Sequence, residues 1–409
     1  MWRTIYKFIG GNEVALTAAI VLQLVGILAL GSATHSADNA GPSAILVKQI
    51  VWAVLGLVMF GLIQTLPTRI LQAFSYVIYG VAVFFLVVVL IAGKIGMGAA
   101  RWLEIGPLQF QPSEIAKIAI ILALARLLTE RTREWNQTKT LLLAIGMALF
   151  CTALVLVEPD LGTSLVYPVI LFLMLFWAGV PAVVLFVMAS PILVIPAGFH
   201  WLALIAVLLA IATVLYFTRT RLWIVVVVMV MLTGLGISTP RLWSHLHPYQ
   251  QRRIESFLNP DSDPMGAAYQ LIQSKVTIGS GGFSGKGFLK GTQTHLKFLP
   301  EQHTDFIFSV WGEEFGFLGS MVVVVAYFVL VLRAFHLSGK VRNPFMAAMC
   351  AGIASLFLIH YFVNIGMALG MLPVTGLPLP FLSYGGTMAI SSWSLIGLMT
   401  LAARRWREY

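Results

Sequence analysis

Along this chain, long unbroken apolar runs alternate with short polar stretches. Runs at 14–33, 48–67, 70–93, 112–129, 140–157, 163–179, 181–198, 200–217, 222–238, 306–333, 345–369 and 384–403 each come near the roughly 20 residues a helix needs to cross a bilayer. A membrane β-barrel would instead show short segments of alternating polarity. The pattern predicts an all-α, polytopic helical membrane protein of about 10–12 transmembrane helices, one integral membrane domain over 1–409. The runs 181–198 and 200–217 are separated only by Phe199 and His200, so 181–217 reads either as an extra transmembrane pair or as a re-entrant pair. The first run follows Arg3 and Lys7 in the manner of a secretory signal. Its apolar core exceeds the 7–15 residues of a signal peptide, which predicts an uncleaved span. No soluble domain is expected before or after the membrane part.

Composition agrees. The chain is 59% hydrophobic and 10% charged, against about 25% charged for a soluble domain. A formal net charge of +10 would suggest nucleic acid in a soluble protein. Here Arg3, Lys7, Arg69, Arg131, Arg133, Lys139, Arg219, Arg221, Arg333, Lys340, Arg342, Arg404, Arg405 and Arg407 all fall in loops or termini on one side of a twelve-span chain. The positive-inside rule makes that side cytoplasmic. Both termini are then inside and 239–304 is a large extracytoplasmic loop. A loop of roughly 60 residues is exempt from the charge rule, and it is expected to be structured and to fold back over the spans. Cys151 and Cys350 sit in apolar runs without metal-ligand spacing, so packing is their expected role.

Chemistry concentrates in one long polar passage, from Gln273 to Gly319. It closes with Glu301, His303 and Asp305 at the edge of an apolar run. Asp305 suits the N-cap of the following helix, yet a cap does not need three ionisable neighbours plus Glu313 and Glu314 inside the span. Intramembrane acids are paired or functional. Upstream, QPSEIAK reads as a helix start with Pro112 in the first turn and Glu114 over the positive dipole end. Lys117, three residues on, either neutralises Glu114 on the same helix face or borders a polar cavity with it. Arg101 anchors at the interface or binds an anion with its guanidinium fork. In VEPDLGTSL, Glu158 and Asp160 are better read as a turn with Asp160 capping a helix than as cation ligands. Arg252 and Arg253 lie on an amphipathic stretch suited to lipid head groups. GSGGFSGKG fails the P-loop pattern, since Ser280 stands where the first glycine belongs and Gly287 replaces Ser/Thr. Its backbone amides with Lys275 and Lys286 could still cradle an anion. GMLPVTGLPLPFLSYGG, whose one titratable side chain is Tyr384, reads as a rigid cavity wall.

The tracts GAARWLEIG with QPSEIAK, EPDLGTS, YQLIQSK with IGSGG, GKG and GTQ, LPEQHTDFIFSVWGEEFG and LPVTGLPLPFLSYGG occur in that order. They resemble the SEDS family (shape, elongation, division, sporulation), the RodA and FtsW proteins. GKGFLKGTQ and PEQHTDF are more similar to the elongation branch, RodA, than to the division branch, FtsW. The resemblance implies a peptidoglycan glycosyltransferase of the bacterial cytoplasmic (inner) membrane, with its active face extracytoplasmic. It would polymerise lipid II, a disaccharide–pentapeptide on undecaprenyl pyrophosphate, during cell elongation and cell-shape maintenance. A class B penicillin-binding protein transpeptidase and the elongation machinery are the implied partners; nucleic acid is not. The essential aspartate of the family's HTDF motif falls on Asp305, flanked by His303 and Glu301, with inversion at the donor's anomeric carbon. The family's polar cavity residues fall on Arg101, Glu114 and Lys117, with Lys275 and Lys286 as further substrate contacts. No cofactor is implied with certainty; Mg or Mn is a candidate divalent cation whose ligands are unknown. Family members usually have ten spans, and the passage 179–238 is long enough here for one added pair. The alternatives are a lipid II flippase, against which the one-sided placement of the polar groups argues, and a scaffold for the transpeptidase.

Overall fold

The computed structural model describes residues 11–35, 43–92, 94–96, 99–105, 108–130, 137–264, 266, 268–296 and 298–406. Each apolar run falls on helix. The first three helices are α1 (Glu13–Ala33), α2 (Ala44–Ile63) and α3 (Thr68–Ala92). Ser43 starts α2 by accepting the Leu46 amide at 3.1 Å. Three short strands follow, β1 (Lys94–Gly96), β2 (Ala99–Ile105) and β3 (Leu108–Phe110), in one antiparallel sheet of that order. Trp102 pairs with Lys94, and Leu103 with Phe110. Among the described residues these are the only strands.

Then come α4 (Pro112–Thr129), α5 (Gln137–Val157), α6 (Leu161–Trp177), α7 (Ala182–Ala189), α8 (Pro191–Ala197), α9 (Trp201–Phe217) and α10 (Leu222–His245). The run expected at 181–198 is thus two short helices, with Pro191 opening the second. α10 continues to His245, seven residues beyond the boundary expected at 238. The segment after it is built from α11 (Pro248–Leu258), a 3-10 turn at Pro260–Ser262, α12 (Tyr269–Ser280) and α13 (Thr292–His295). The last three helices are α14 (Ile307–Lys340), α15 (Pro344–Ala368) and α16 (Gly386–Arg404). Among the described residues, eight helices are long and apolar enough to cross a membrane, and three shorter apolar helices lie at Leu161–Trp177, Ala182–Ala197 and Trp201–Phe217.

The chain forms two compact units. The first, 1–174 with 253–409, is organised on α15 and α16, which are mostly buried, whereas α2 and α3 present most of their apolar side chains outward. α16 is buried from Gly386 to Ala403 except at Ile390 and packs chiefly against α2, while α14 packs on α15 and α1. In a bilayer, outward apolar side chains meet acyl chains, so association rests on close packing and polar ties. Two such ties close the helix pairs: Trp393 Nε1 donates to Gln23 Oε1 at 3.2 Å, and Gln64 Nε2 to the Gly397 carbonyl at 2.7 Å. The second unit, 175–252, has its own core of Val194, Ala197, Leu204, Ile211, Leu215 and Leu232.

α14 is interrupted at Gly316, which has φ 62° and ψ −156°, a conformation essentially restricted to glycine. Such a break strands backbone groups that lipid cannot satisfy, and the glycine-rich segment after α12 satisfies them. The amides of Phe317 and Leu318 donate to the carbonyls of Gly282 and Phe283 at 2.9 and 3.2 Å. In return the amides of Lys286 and Gly287 donate to the carbonyls of Glu313 and Glu314 at 3.1 and 2.9 Å. The fit is backbone on backbone: a Cβ on Gly316 would collide with the Gly285 amide nitrogen. Gly316→Ala is expected to cost about 1–3 kcal/mol from the dihedral alone, read as a lowered melting temperature in detergent. An unchanged melting temperature would contradict the break.

Candidate functional site

Asp305 lies on the turn that leads into α14. The cap position of that helix is Phe306, whose side chain makes no capping hydrogen bond. Asp305 precedes the cap position rather than occupying it. The turn is anchored below by Phe306, fully buried in a cluster with Leu271, Leu299, Met367 and Val374. Its backbone is held from one side. The carbonyl of His303 accepts the Tyr384 amide at 3.0 Å, that of Thr304 the Ser383 hydroxyl at 2.6 Å, and that of Asp305 the Asn364 side-chain amide at 3.0 Å. Glu301 takes a left-handed φ of 51°, which is uncommon outside glycine. Its carboxylate accepts from Thr304 Oγ1 at 3.1 Å.

With its backbone fixed, Asp305 is only half-buried. Its carboxylate faces Gly376 in the 371–385 segment: a Cβ there would stand 3.4 Å from Asp305 Oδ2 and 3.6 Å from an Arg253 guanidinium nitrogen. A carboxylate and a cation thus flank one glycine. Tyr384 stands beside His303, with ring centroids 6.2 Å apart. Burial pushes the Tyr384 phenol above its ordinary pKa, so it stays neutral at pH 7.

Glu114 and Lys117 form a separate, fully buried cluster. Lys117 Nζ donates to Glu114 Oε1 at 2.7 Å, with side-chain exposures of 1% and 2%. It also lies 3.1 Å from His360 Nε2. His360 Nδ1 is 2.9 Å from the Pro378 carbonyl. A carbonyl can only accept, so Nδ1 carries the proton and Nε2 is left to accept from the ammonium. Of the two readings of this pair, the structure has the self-neutralised one. Lys286 is likewise engaged, 2.6 Å from Glu313 Oε1. Glu313 also accepts from the Gln293 and Thr294 amides at 2.9 and 3.1 Å and from Thr294 Oγ1 at 2.8 Å. Glu314 accepts from Ser32 Oγ and from the Leu289 amide.

In GSGGFSGKG the amides of Lys286 and Gly287 bond to the α14 break, and the Lys286 ammonium to Glu313. Lys275 is exposed and its side chain lies over Gly370. Arg101 falls on β2, but its side chain lies outside the described residues. Asp160 caps α6, accepting the Thr163 amide at 3.1 Å and Thr163 Oγ1 at 3.0 Å. Among the described residues no three His, Cys, Asp or Glu side chains gather as a metal site.

Sequence reasoning read Arg253 only as a lipid-facing residue and passed over His360 and Asn364. The last two had a usable signal in IHYFVN, two polar side chains four residues apart inside an apolar run, where polar groups are costly and face the protein interior.

A bundle of helices long and apolar enough to cross a membrane, with a half-buried acid on a turn between two of them and a buried Glu114–Lys117 pair within it, defines a polytopic membrane protein. The chain belongs to the FtsW/RodA/SpoVE family of cell cycle proteins, whose model matches residues 13–206 and 202–408. It is 33% identical over 389 residues to the peptidoglycan glycosyltransferase MrdB of Escherichia coli (strain K12), covering 95% of this chain and 93% of that one. It is also 33% identical over 421 residues to the peptidoglycan glycosyltransferase RodA of Treponema pallidum, covering 95% and 97%. A solved chain from a peptidoglycan synthase complex that coordinates polymerization and crosslinking superposes with a TM-score of 0.71 at 31% identity, covering 97% of this chain and 98% of that chain. RodA of Thermus thermophilus superposes with a TM-score of 0.62 at 28% identity, covering 95% of each.

Proposed function

We propose that this chain is a peptidoglycan glycosyltransferase that polymerises lipid II at the outer face of the bacterial cytoplasmic membrane, with Asp305 as general base. The observation that carries the assignment of Asp305 is its placement: a half-buried acid just before the cap position of α14, on a backbone held at three consecutive carbonyls. A general base must be rigidly aimed and open to its substrate. The family and its named glycosyltransferase relatives support the reaction class.

In the reaction, the acceptor sugar's 4-hydroxyl attacks the anomeric carbon of the donor. The C–O bond to undecaprenyl pyrophosphate breaks as the glycosidic bond forms, and Asp305 takes the hydroxyl proton. One displacement inverts the α-linked donor to a β-linked polymer without a covalent intermediate. The departing pyrophosphate needs positive charge. Arg253, beside Asp305, and exposed Lys275 are the cations best placed to supply it, with Arg101 as a further contact. Lys117 and Lys286 each hold a carboxylate, Glu114 and Glu313 respectively. Mg or Mn is a candidate helper; such ions bind substrate phosphates with one or two carboxylates and several waters, which requires no all-protein cage. The loop charges support cytoplasmic termini. A class B penicillin-binding protein is the proposed partner.

The test is incubation of purified protein, with and without that partner, with lipid II, and analysis of glycan products on a gel. Polymer from the wild type that is missing with Asp305→Ala supports the proposal. No polymer under any condition, with labelled lipid II crossing vesicle bilayers instead, would replace it with the flippase.

A further inference from the structure

We propose that Asn364 and His360, one helical turn apart on α15, are positioning residues for the transfer reaction, joining the turn that carries Asp305 and the buried Glu114–Lys117 pair to neighbouring carbonyls, Leu377 and Pro378, of the 371–385 segment. The inference rests on Asp305 being the base. Asn364 is fully buried, and its Nδ2 donates both to the Asp305 carbonyl at 3.0 Å and to the Leu377 carbonyl at 2.7 Å. His360, also fully buried, donates from Nδ1 to the next carbonyl, Pro378, at 2.9 Å and accepts from Lys117 at Nε2 at 3.1 Å.

Residues four apart on a helix share one face, so this face of α15 grips Leu377 and Pro378 side by side. Gly376, directly before them, is the residue that Asp305 and Arg253 flank. Asn364 Nδ2 thus holds both sides at once, alongside the ties from Ser383 and Tyr384 to the carbonyls of Thr304 and His303. His360 extends the same clamp to α4 through Lys117. Neither side chain touches the space above Asp305, so each acts on the reaction only through what it holds.

Misplacing a catalytic group by about 1 Å can cost about 10²-fold in rate. Asn364→Asp keeps the shape but loses the amide donor to both carbonyls. It is expected to lower kcat for polymer formation from lipid II about 10²-fold per folded molecule, with KM changed less than about threefold, because the substrate surface is untouched. Asn364→Ala and Asn364→Ser provide the same reading if the aspartate variant does not fold. At His360 two replacements separate the contacts. Asn places an amide nitrogen near the Nδ1 position and keeps the Pro378 bond; Gln places an acceptor near Nε2 and keeps Lys117. His360→Asn is expected to retain more kcat than His360→Gln.

All variants are assayed beside the wild type and Asp305→Ala, with folded protein counted by size exclusion and melting. Wild-type kcat in folded Asn364 variants, while Asp305→Ala is inactive, overturns the positioning role alone. A loss that follows only the amount of folded protein also overturns it. An active Asp305→Ala removes the general base and this inference together.

Discussion

Asp305→Ala is expected to lower the rate of glycan polymer formation by about 10²–10⁴-fold, the usual contribution of a positioned general base, while the protein still folds. Both halves follow from the geometry. The side chain is only half-buried and precedes the cap position of α14, so its loss leaves the packing around Phe306 intact. The backbone at 303–305 is held through carbonyl oxygens, which alanine retains. Asp305→Asn, which keeps the shape and removes the basic oxygen, should be nearly as inactive, whereas Asp305→Glu misplaces the base and should retain partial activity. Gel analysis of products from lipid II, with thermal melting of each variant, decides it. Near-normal polymer from folded Asp305→Ala would refute the assignment.

Lys117→Met is expected to destabilise the protein by about 3–5 kcal/mol, because it leaves the Glu114 carboxylate buried without its cation. The double variant Glu114→Gln, Lys117→Met should recover most of that loss, since removing both charges also removes the desolvation cost of each. At 1% and 2% exposure neither group has water to fall back on. The measurement is denaturation in detergent for both singles and the double, analysed as a mutant cycle. Additive losses would mean that the two charges are not coupled. Recovered stability with polymer formation restored would assign the pair to architecture rather than to substrate.

Much of this organisation is legible in the sequence because the bilayer imposes it: apolar length fixes the spans, and all twelve expected runs lie on helix. Asp305 stood out because an acid at the edge of an apolar run is costly. What the sequence hides is pairing at long range. Lys117 and Glu114 are three residues apart and visible together, but His360 lies 243 residues from Lys117. Arg253 and Asp305 lie far apart in sequence, yet both flank Gly376. Gly316 in WGEEFGFLG looks like any helical glycine, since its left-handed φ depends on a partner loop that local periodicity does not report. The small sheet at 94–110 was likewise obscured, its strands being too short to establish an alternation.

The interruption of α14 also bears on how the protein opens. A kinked helix is ordinarily a soft point whose amides exchange early with solvent deuterium. Here the amides just past Gly316 donate to the carbonyls of Gly282 and Phe283, and those of Lys286 and Gly287 donate back. Exchange at Phe317 and Leu318 therefore requires the 281–287 segment to peel away first, so the two stretches should lose protection together, as one cooperative unit. The break behaves as a weld, tying an extramembrane loop to the stability of the span beneath it.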